Sequence, residues 1–432
     1  MNAVNVIGRA GEFNVAFQAS TLSNHAGIVM LREFADRLGV AAQLDEHLHV
    51  KARARGYTEA ESLLALVWSQ MLGGSCLSDL DVLRGDLGTQ ALLGLARVIA
   101  PTTAGEFLRK FDLGQITALR HQLSQLAERV RPWQQSQTVT LDFDPSIYAQ
   151  CSSRKQGSRK AYNGELGYAP LFCFWAEEPE LLYAHLLAGN RNPAGKLLWF
   201  WAEVQRRIPP GRRVKARGDS AFYHWKFIEA LAAADVTYAI TADQTAQVLA
   251  QVSALPEKAW HSFGAGTQAQ VAEFCYAPER QPSRRYVVKR AARRSKKGPS
   301  YWHYHVVVTN DLRSRPRQLM RWALKRCTVE NLIKEHKTGF ALEKRPTNNY
   351  FANWAWLLLG ELAFNLVAWF KRLILPEQYQ HATIKTIRHH LLNVAGKIVT
   401  SGKQFFLLLS EHSFYQDVWA YALKRLADMK SG

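Results

Sequence analysis

The chain is poor in acid, and its few cysteines are scattered. Across 432 residues, 36 Asp and Glu face 55 Lys and Arg, a net charge of +19. An imbalance of that size points to a polyanionic partner, with nucleic acid and an anionic membrane surface as the two options. The five cysteines, at 76, 151, 173, 275 and 327, form no CxxC pair. That excludes a zinc ribbon or dithiol redox centre and fits a reducing cytoplasm. No uninterrupted apolar run reaches the roughly 20 residues of a membrane span; the longest candidate, Trp354 to Phe370, contains Glu361 and Asn365. The first residues have no basic flank leading into an apolar stretch, so no secretory signal is read. GxSxG, HExxH and a glycine-rich dinucleotide fingerprint are all missing. The segment GNRNPAGKL (189–197) has five residues between its glycines instead of four, and Leu197 where a phosphate loop needs a hydroxyl. What is present is a 47% hydrophobic fraction, enough for a large core. The expectation is a cytoplasmic, nucleic-acid-binding protein with no membrane role.

The charge is unevenly placed. Residues 1–135 hold 13 basic and 13 acidic side chains, so the entire surplus lies beyond them. Three dense runs stand out: Arg154 to Lys160, Arg206 to Arg217, and Arg284 to Lys297, the last with eight Lys or Arg in fourteen positions. Any one such run reads as a solvated loop; three in one half of the chain point to a surface that follows phosphates.

The hydrophobic pattern divides the chain into four parts. Residues 1–135 are helical in pattern after a short extended arm, with capping-box signatures at Thr58/Glu61 and Thr103/Glu106. Several short helices with tight turns fit helix-turn-helix DNA recognition or any small helical bundle. Residues 136–244 alternate strands (TVTLDFD, RVKARGDS, VTYAIT) with helices (KLLWFWAEVQRR, WKFIEALAAA), the mark of an α/β layer. Residues 245–312 break that alternation and read as an inserted β subdomain. Residues 313–432 return to helix, with a hairpin expected in GKIVTSGKQFFLLL.

Three acidic positions carry chemistry. Asp142 and Asp144 are two apart on a strand and so share a face; two adjacent carboxylates repel, and a cation between them relieves this. The plainer alternative is an edge strand with exposed acids. Asp219 follows a strand and precedes a helix, the end of an α/β sheet where ligands collect, although a simple N-cap explains it equally. Arg326, Glu330, Lys334 and Lys337 fall on one helical face, as exposed salt bridges or as an acid for metal among cations for phosphate. His303 and His305 share a strand face without a third ligand, and are read as ordinary surface or packed residues.

In order and spacing, LDFDPS (141–146), RGDSAF (217–222) and Arg326-x3-Glu330-x6-Lys337 resemble the group 1 DDE domain of transposases from bacterial insertion sequences. GYAPL (167–171), LLAGN (186–190) and VVVTN (306–310) extend the resemblance over nearly the whole chain. It implies a ribonuclease-H-like core with a β insertion before the glutamate, preceded by a helical domain for DNA-end recognition. Asp144, Asp219 and Glu330 would be the catalytic acids and ligands of two Mg²⁺ ions, with Mn²⁺ as a substitute and Asp142 as the fallback first acid. Arg326, Lys334 and Lys337 would bind phosphates near the scissile bond, and Arg154, Lys155, Arg159, Lys160, Arg293, Arg294, Lys296 and Lys297 the DNA backbone. The implied activity is cleavage at element ends and strand transfer into target DNA. Its partners are double-stranded terminal repeats, target DNA and a second copy of the chain. The alternatives are a nuclease of the same fold without strand transfer and a non-catalytic, transposase-derived DNA-binding protein. One departure is visible: the Tyr usual three residues before the Arg is Ala323, next to Trp322.

Overall fold

The computed structural model describes residues 6–10, 13–16, 21–53, 55–278, 281–294 and 301–429. Lys296 and Lys297 lie outside them. The chain forms two compact units, one made of Met1–Gln122 and Trp369–Gly432, the other of Leu123–Ala368.

In the first unit, the helix Glu59–Leu72 begins as its sequence dictates. The Glu61 amide donates to the Thr58 hydroxyl at 3.1 Å, and the Thr58 amide donates to the Glu61 carboxylate at 2.7 Å. It ends at Gly73, whose φ of 111° is a conformation glycine adopts without strain. The second expected box does not form. The helix Pro101–Leu108 starts three residues earlier, with Ala100 as its N-cap and Pro101 at its first position. Proline's fixed φ starts the helix without a side-chain cap, leaving Thr103 inside the first turn. The expected hairpin is present as Gly396–Ser401 paired with Gln404–Leu408, and Leu22–Ser23 adds a third strand.

The second unit is built on a nine-stranded mixed sheet. Its strands are β1 (Thr138–Pro145), β2 (Leu171–Trp175), β3 (Glu180–His185), β4 (Arg213–Gly218), β5 (Thr237–Thr241), β6 (His261–Ser262), β7 (Gln270–Tyr276), β8 (Arg284–Arg293) and β9 (Tyr301–Thr309). Their order is β6-β7-β8-β9-β5-β4-β1-β2-β3. β1, β4 and β5 run parallel, and every other pairing is antiparallel. The helices α1 (Leu197–Gln205) and α2 (Trp225–Ala233) lie in the connections between the parallel strands. β1 is therefore central, and the edge-strand reading of Asp142 and Asp144 is wrong.

The inserted segment joins the same sheet. It opens with a helix, α3 (Ala246–Ser253), capped by Thr245. Its strands then continue the main sheet, because β9 pairs with β5. α4 (Pro316–Leu324) lays Leu319, Met320 and Ala323 on Val271, Val287 and Val307 of this extension. After α5 (Cys327–Lys334) and a short π-helical turn, α6 (Tyr350–Leu373) follows. By length and composition α6 is apolar enough to cross a membrane, but 94% of that window is buried within the protein. Glu361 and Asn365 do not break it. The Asn365 side chain instead bonds both the N–H and the C=O of Leu181 at 2.9 Å.

Candidate active site

The parallel strands bring two of the predicted acids to one edge. Asp144 lies near the carboxyl end of β1, and Asp219 directly follows β4. The Asp219 carboxylate accepts the Ala221 N–H at 3.0 Å, so the plain N-cap reading holds as local structure. α5 supplies Glu330 and, as its N-cap, Arg326. Arg326 is what the three acids share. Its guanidinium donates to Asp144, lies 3.5 Å from the Glu330 carboxylate, and acts electrostatically on Asp219.

Burial shapes the electrostatics. It pushes the Asp144 carboxyl up to about 7, against the pull of Arg326, with Asp219 and Glu330 adding repulsion. Asp219 is raised to about 6, again chiefly by burial, and feels repulsion from Asp243. These are carboxylates short of positive charge. As oxygen donors of a strongly acidic set they fit a hard divalent cation. They do not form a ready ligand cage, however: among the described residues no group of three His, Cys, Asp or Glu is arranged to hold an ion. Arg326 supplies the positive charge between them.

A cleft of about 390 Å³ opens beside these groups, lined by Asp144, Ser146, Glu330, Lys334, Lys337 and Glu343. Lys334 and Lys337 thus reach the cleft as the helical spacing predicts. The π-helical turn that follows α5 carries Lys337, whose ammonium donates to the Ile147 carbonyl at 2.9 Å and lies 3.9 Å from Glu343.

Asp142 has a different environment. Arg217 grips it bidentately, Nε to Oδ1 at 2.6 Å and Nη2 to Oδ2 at 2.7 Å, with both side chains buried. Arg217 also donates to the Trp322 carbonyl at 3.0 Å, and its guanidinium and the Lys215 ammonium lie over the Trp322 ring, 5.7 and 5.6 Å from the centroid. Trp322 therefore makes a contact of its own, while Ala323 packs against the sheet.

The basic runs only partly face outward. In the second run, Arg206 and Arg207 pair with Glu203, Arg212 bonds the carbonyls of Gln134 and Ser136, and Arg217 is buried. Of this run Arg206 and Arg213 are exposed, Arg206 beside its partner Glu203. In the third, Arg285 and Arg290 are buried on Glu273 and Glu257, while Arg293 and Arg294 are exposed. In the first, Arg154, Arg159 and Lys160 are exposed, but Lys155 is turned inward to Gln150 and the Arg345 carbonyl. Sequence reasoning missed Asp243, two residues past β5, and Glu343 in the cleft. The first had a signal, an acid just beyond a parallel strand; the second had none.

The family model "Transposase DDE domain group 1" matches residues 7–431. Among solved structures the chain is similar to a cryo-EM piggyBac transposase synaptic complex with hairpin DNA, at 11% identity and a TM-score of 0.40. That similarity covers 91% of this chain and 88% of the other, and at so low a score it carries no argument. No curated protein matches.

Proposed function

The chain belongs to the group 1 family of transposase DDE domains, and from that premise we propose that it cuts DNA at the ends of a mobile element and joins them to target DNA, with Asp144, Asp219 and Glu330 as its acids. The observation that carries the assignment is that Asp144, at the end of one parallel strand, and Glu330, on α5, meet Arg326 beside a cleft lined by lysines, with Asp219 at the end of the neighbouring strand feeling the same guanidinium. The strand order β3-β2-β1-β4-β5, with β1, β4 and β5 parallel, supports reading this part of the sheet as a ribonuclease-H-like core. Asp144 is preferred to Asp142 because it lines the cleft, whereas both oxygens of Asp142 are engaged by Arg217.

In this reading water attacks the phosphodiester at the element end, a P–O bond forms, and the bond to the 3′ oxygen breaks to leave a 3′-hydroxyl. That hydroxyl then attacks a target phosphate in line and displaces the target's own 3′ oxygen. Bound Mg²⁺ or Mn²⁺ would activate the attacking oxygen and neutralise charge on the departing one. The protein's own part is positioning. Asp144, Asp219 and Glu330 would hold the ions, Lys334 and Lys337 would bind phosphate oxygens, and Arg326 would move from carboxylate to phosphate as ions enter. The helices of the first unit would bind the terminal repeats, and two copies of the chain would hold two ends.

The test is Asp219→Asn, assayed on the DNA flanking the reading frame. Cleavage and strand transfer should vanish while binding of the ends persists; undiminished cleavage removes the assignment. Wild-type cleavage without joining would instead favour a nuclease of the same fold.

A further inference from the structure

α4 has two opposed faces. Leu319, Met320 and Ala323 are buried on the sheet. Arg317, Arg321 and Lys325, at i, i+4 and i+8, are exposed on the other side. Among the described residues none of the three has an acidic partner within salt-bridge distance. Like charges at i and i+4 slightly destabilise a helix, so a bare stripe of this kind is a cost that an anionic partner would offset.

The stripe continues onto the inserted strands. Arg321 and Lys289 both lie over the Phe263 ring, with the cations 5.8 and 4.7 Å from its centroid. Lys289 stands opposite His305 in the β8–β9 ladder, Ala291 opposite His303, and Arg293 opposite Tyr301. Opposed residues share a face, and Val287 and Val307 place it as the face that α4 covers. At its other end the stripe reaches Arg326, the residue after Lys325. The same His305 that faces Lys289 also feels Arg326 electrostatically. Basic side chains thus run along this face from Arg293 and Lys289 over Phe263 to Arg321 and Lys325, next to Arg326, while the one acid facing them from β7, Glu273, is paired with Arg285.

We propose that this face is a phosphate track for duplex DNA, gripping the backbone beside the cleaved bond without reading sequence; the proposal rests on the DNA-cutting reading above. From Arg317 to Lys325 the helix advances about 12 Å, the axial length of about four base pairs. A lipid surface does not fit. The apolar face of α4 is already buried on the sheet, whereas a helix lying on a membrane must offer that face to the bilayer.

The experiment is a salt titration of the full chain binding a labelled duplex. Wild type gives a reference slope of log K against log [NaCl]. The variant Arg317→Gln/Arg321→Gln/Lys325→Gln should bind roughly ten- to a hundredfold more weakly at low salt, with a slope smaller by about 2–3. The loss should be equal on element-end and unrelated duplexes. Lys289→Gln/Arg293→Gln, on rigid strands, should reduce the slope by about 1–2, and it keeps the test open if the helix variant misfolds. Unchanged slopes in both variants, with wild type still binding and cutting, overturn the track and leave the transposase reading intact. A wild-type chain that binds no duplex at all sinks the reading beneath it.

Discussion

Asp142 and Asp144 show how far one residue's surroundings decide its role. Strand periodicity places both on the same face of β1, and nothing local separates them. What does is Arg217, 75 positions away and aligned with Asp142 by the β1–β4 register. Removing one partner of a buried, bidentate pair leaves an uncompensated charge, typically at about 3–5 kcal/mol. Asp142→Asn should lower unfolding free energy by that amount in a urea titration. Asp144→Asn should cost far less while abolishing cleavage; equal losses would show that the two carboxylates do the same job. A second buried group sets acid sensitivity. His336 is fully buried, its Nδ1 is 2.6 Å from the Tyr148 hydroxyl, and burial depresses its pKa to about 3, with Arg345 contributing. Folded protein then holds fewer protons than unfolded protein between pH 3 and the ordinary value near 6.5. Its contribution to stability is complete above about pH 6.5 and is lost as pH falls toward 3. His336→Gln should be less stable at pH 7.5 yet lose stability more gradually between pH 6.5 and 4. Parallel melting-temperature curves for variant and wild type over that range would refute this.

At the scale of elements, the local patterns were readable and the non-local pairings were not. Alternation in TVTLDFD and VTYAIT and the box at Thr58 mark elements that formed where expected. In the inserted β segment, nothing local records that β9 will pair with β5, Ala239 opposite Thr309. The internal burial of so many arginines was equally hidden, since a run of charge in sequence carries no sign of the glutamate waiting on another strand. α6 shows a constraint of the same non-local kind. A Cβ on Gly360 would stand 2.1 Å from Cδ1 of Leu342, itself fully buried on the segment that follows Lys337. Alanine gains up to about 1 kcal/mol over glycine in a helix, but overpacking a dense core costs about 1–3 kcal/mol. Gly360→Ala should therefore be net destabilising. Combined with Leu342→Ala, the loss should fall short of the sum of the single losses by at least about 0.5 kcal/mol. A Gly360→Ala variant more stable than wild type would mean that the two segments do not approach so closely.

For the whole molecule, the division of the chain is the least legible feature. Its first unit draws on both ends of the sequence, 1–122 and 369–432, and no composition shift announces that. Its internal bonds do. Arg388 donates to the carbonyls of Met71 and Gln70 at 2.6 and 2.7 Å, capping the end of the helix Glu59–Leu72. The Ala26 amide bonds the Val394 carbonyl at 2.8 Å, and Leu22–Ser23 is held by pairing with Gly396–Ser401. Without the C-terminal segment those carbonyls and strand edges lose their partners, and the apolar surfaces of the N-terminal helices lose part of their cover. The central sheet of the second unit, by contrast, takes all nine of its strands from 138–309. A chain ended after Leu375, which keeps α6 whole, should lose amide protection across the helices of residues 28–72 while protection in β1, β4, β5 and β9 persists. Hydrogen exchange read by mass spectrometry separates the two regions directly. Retained protection at 28–72 would show that the N-terminal helices fold without the C-terminal segment.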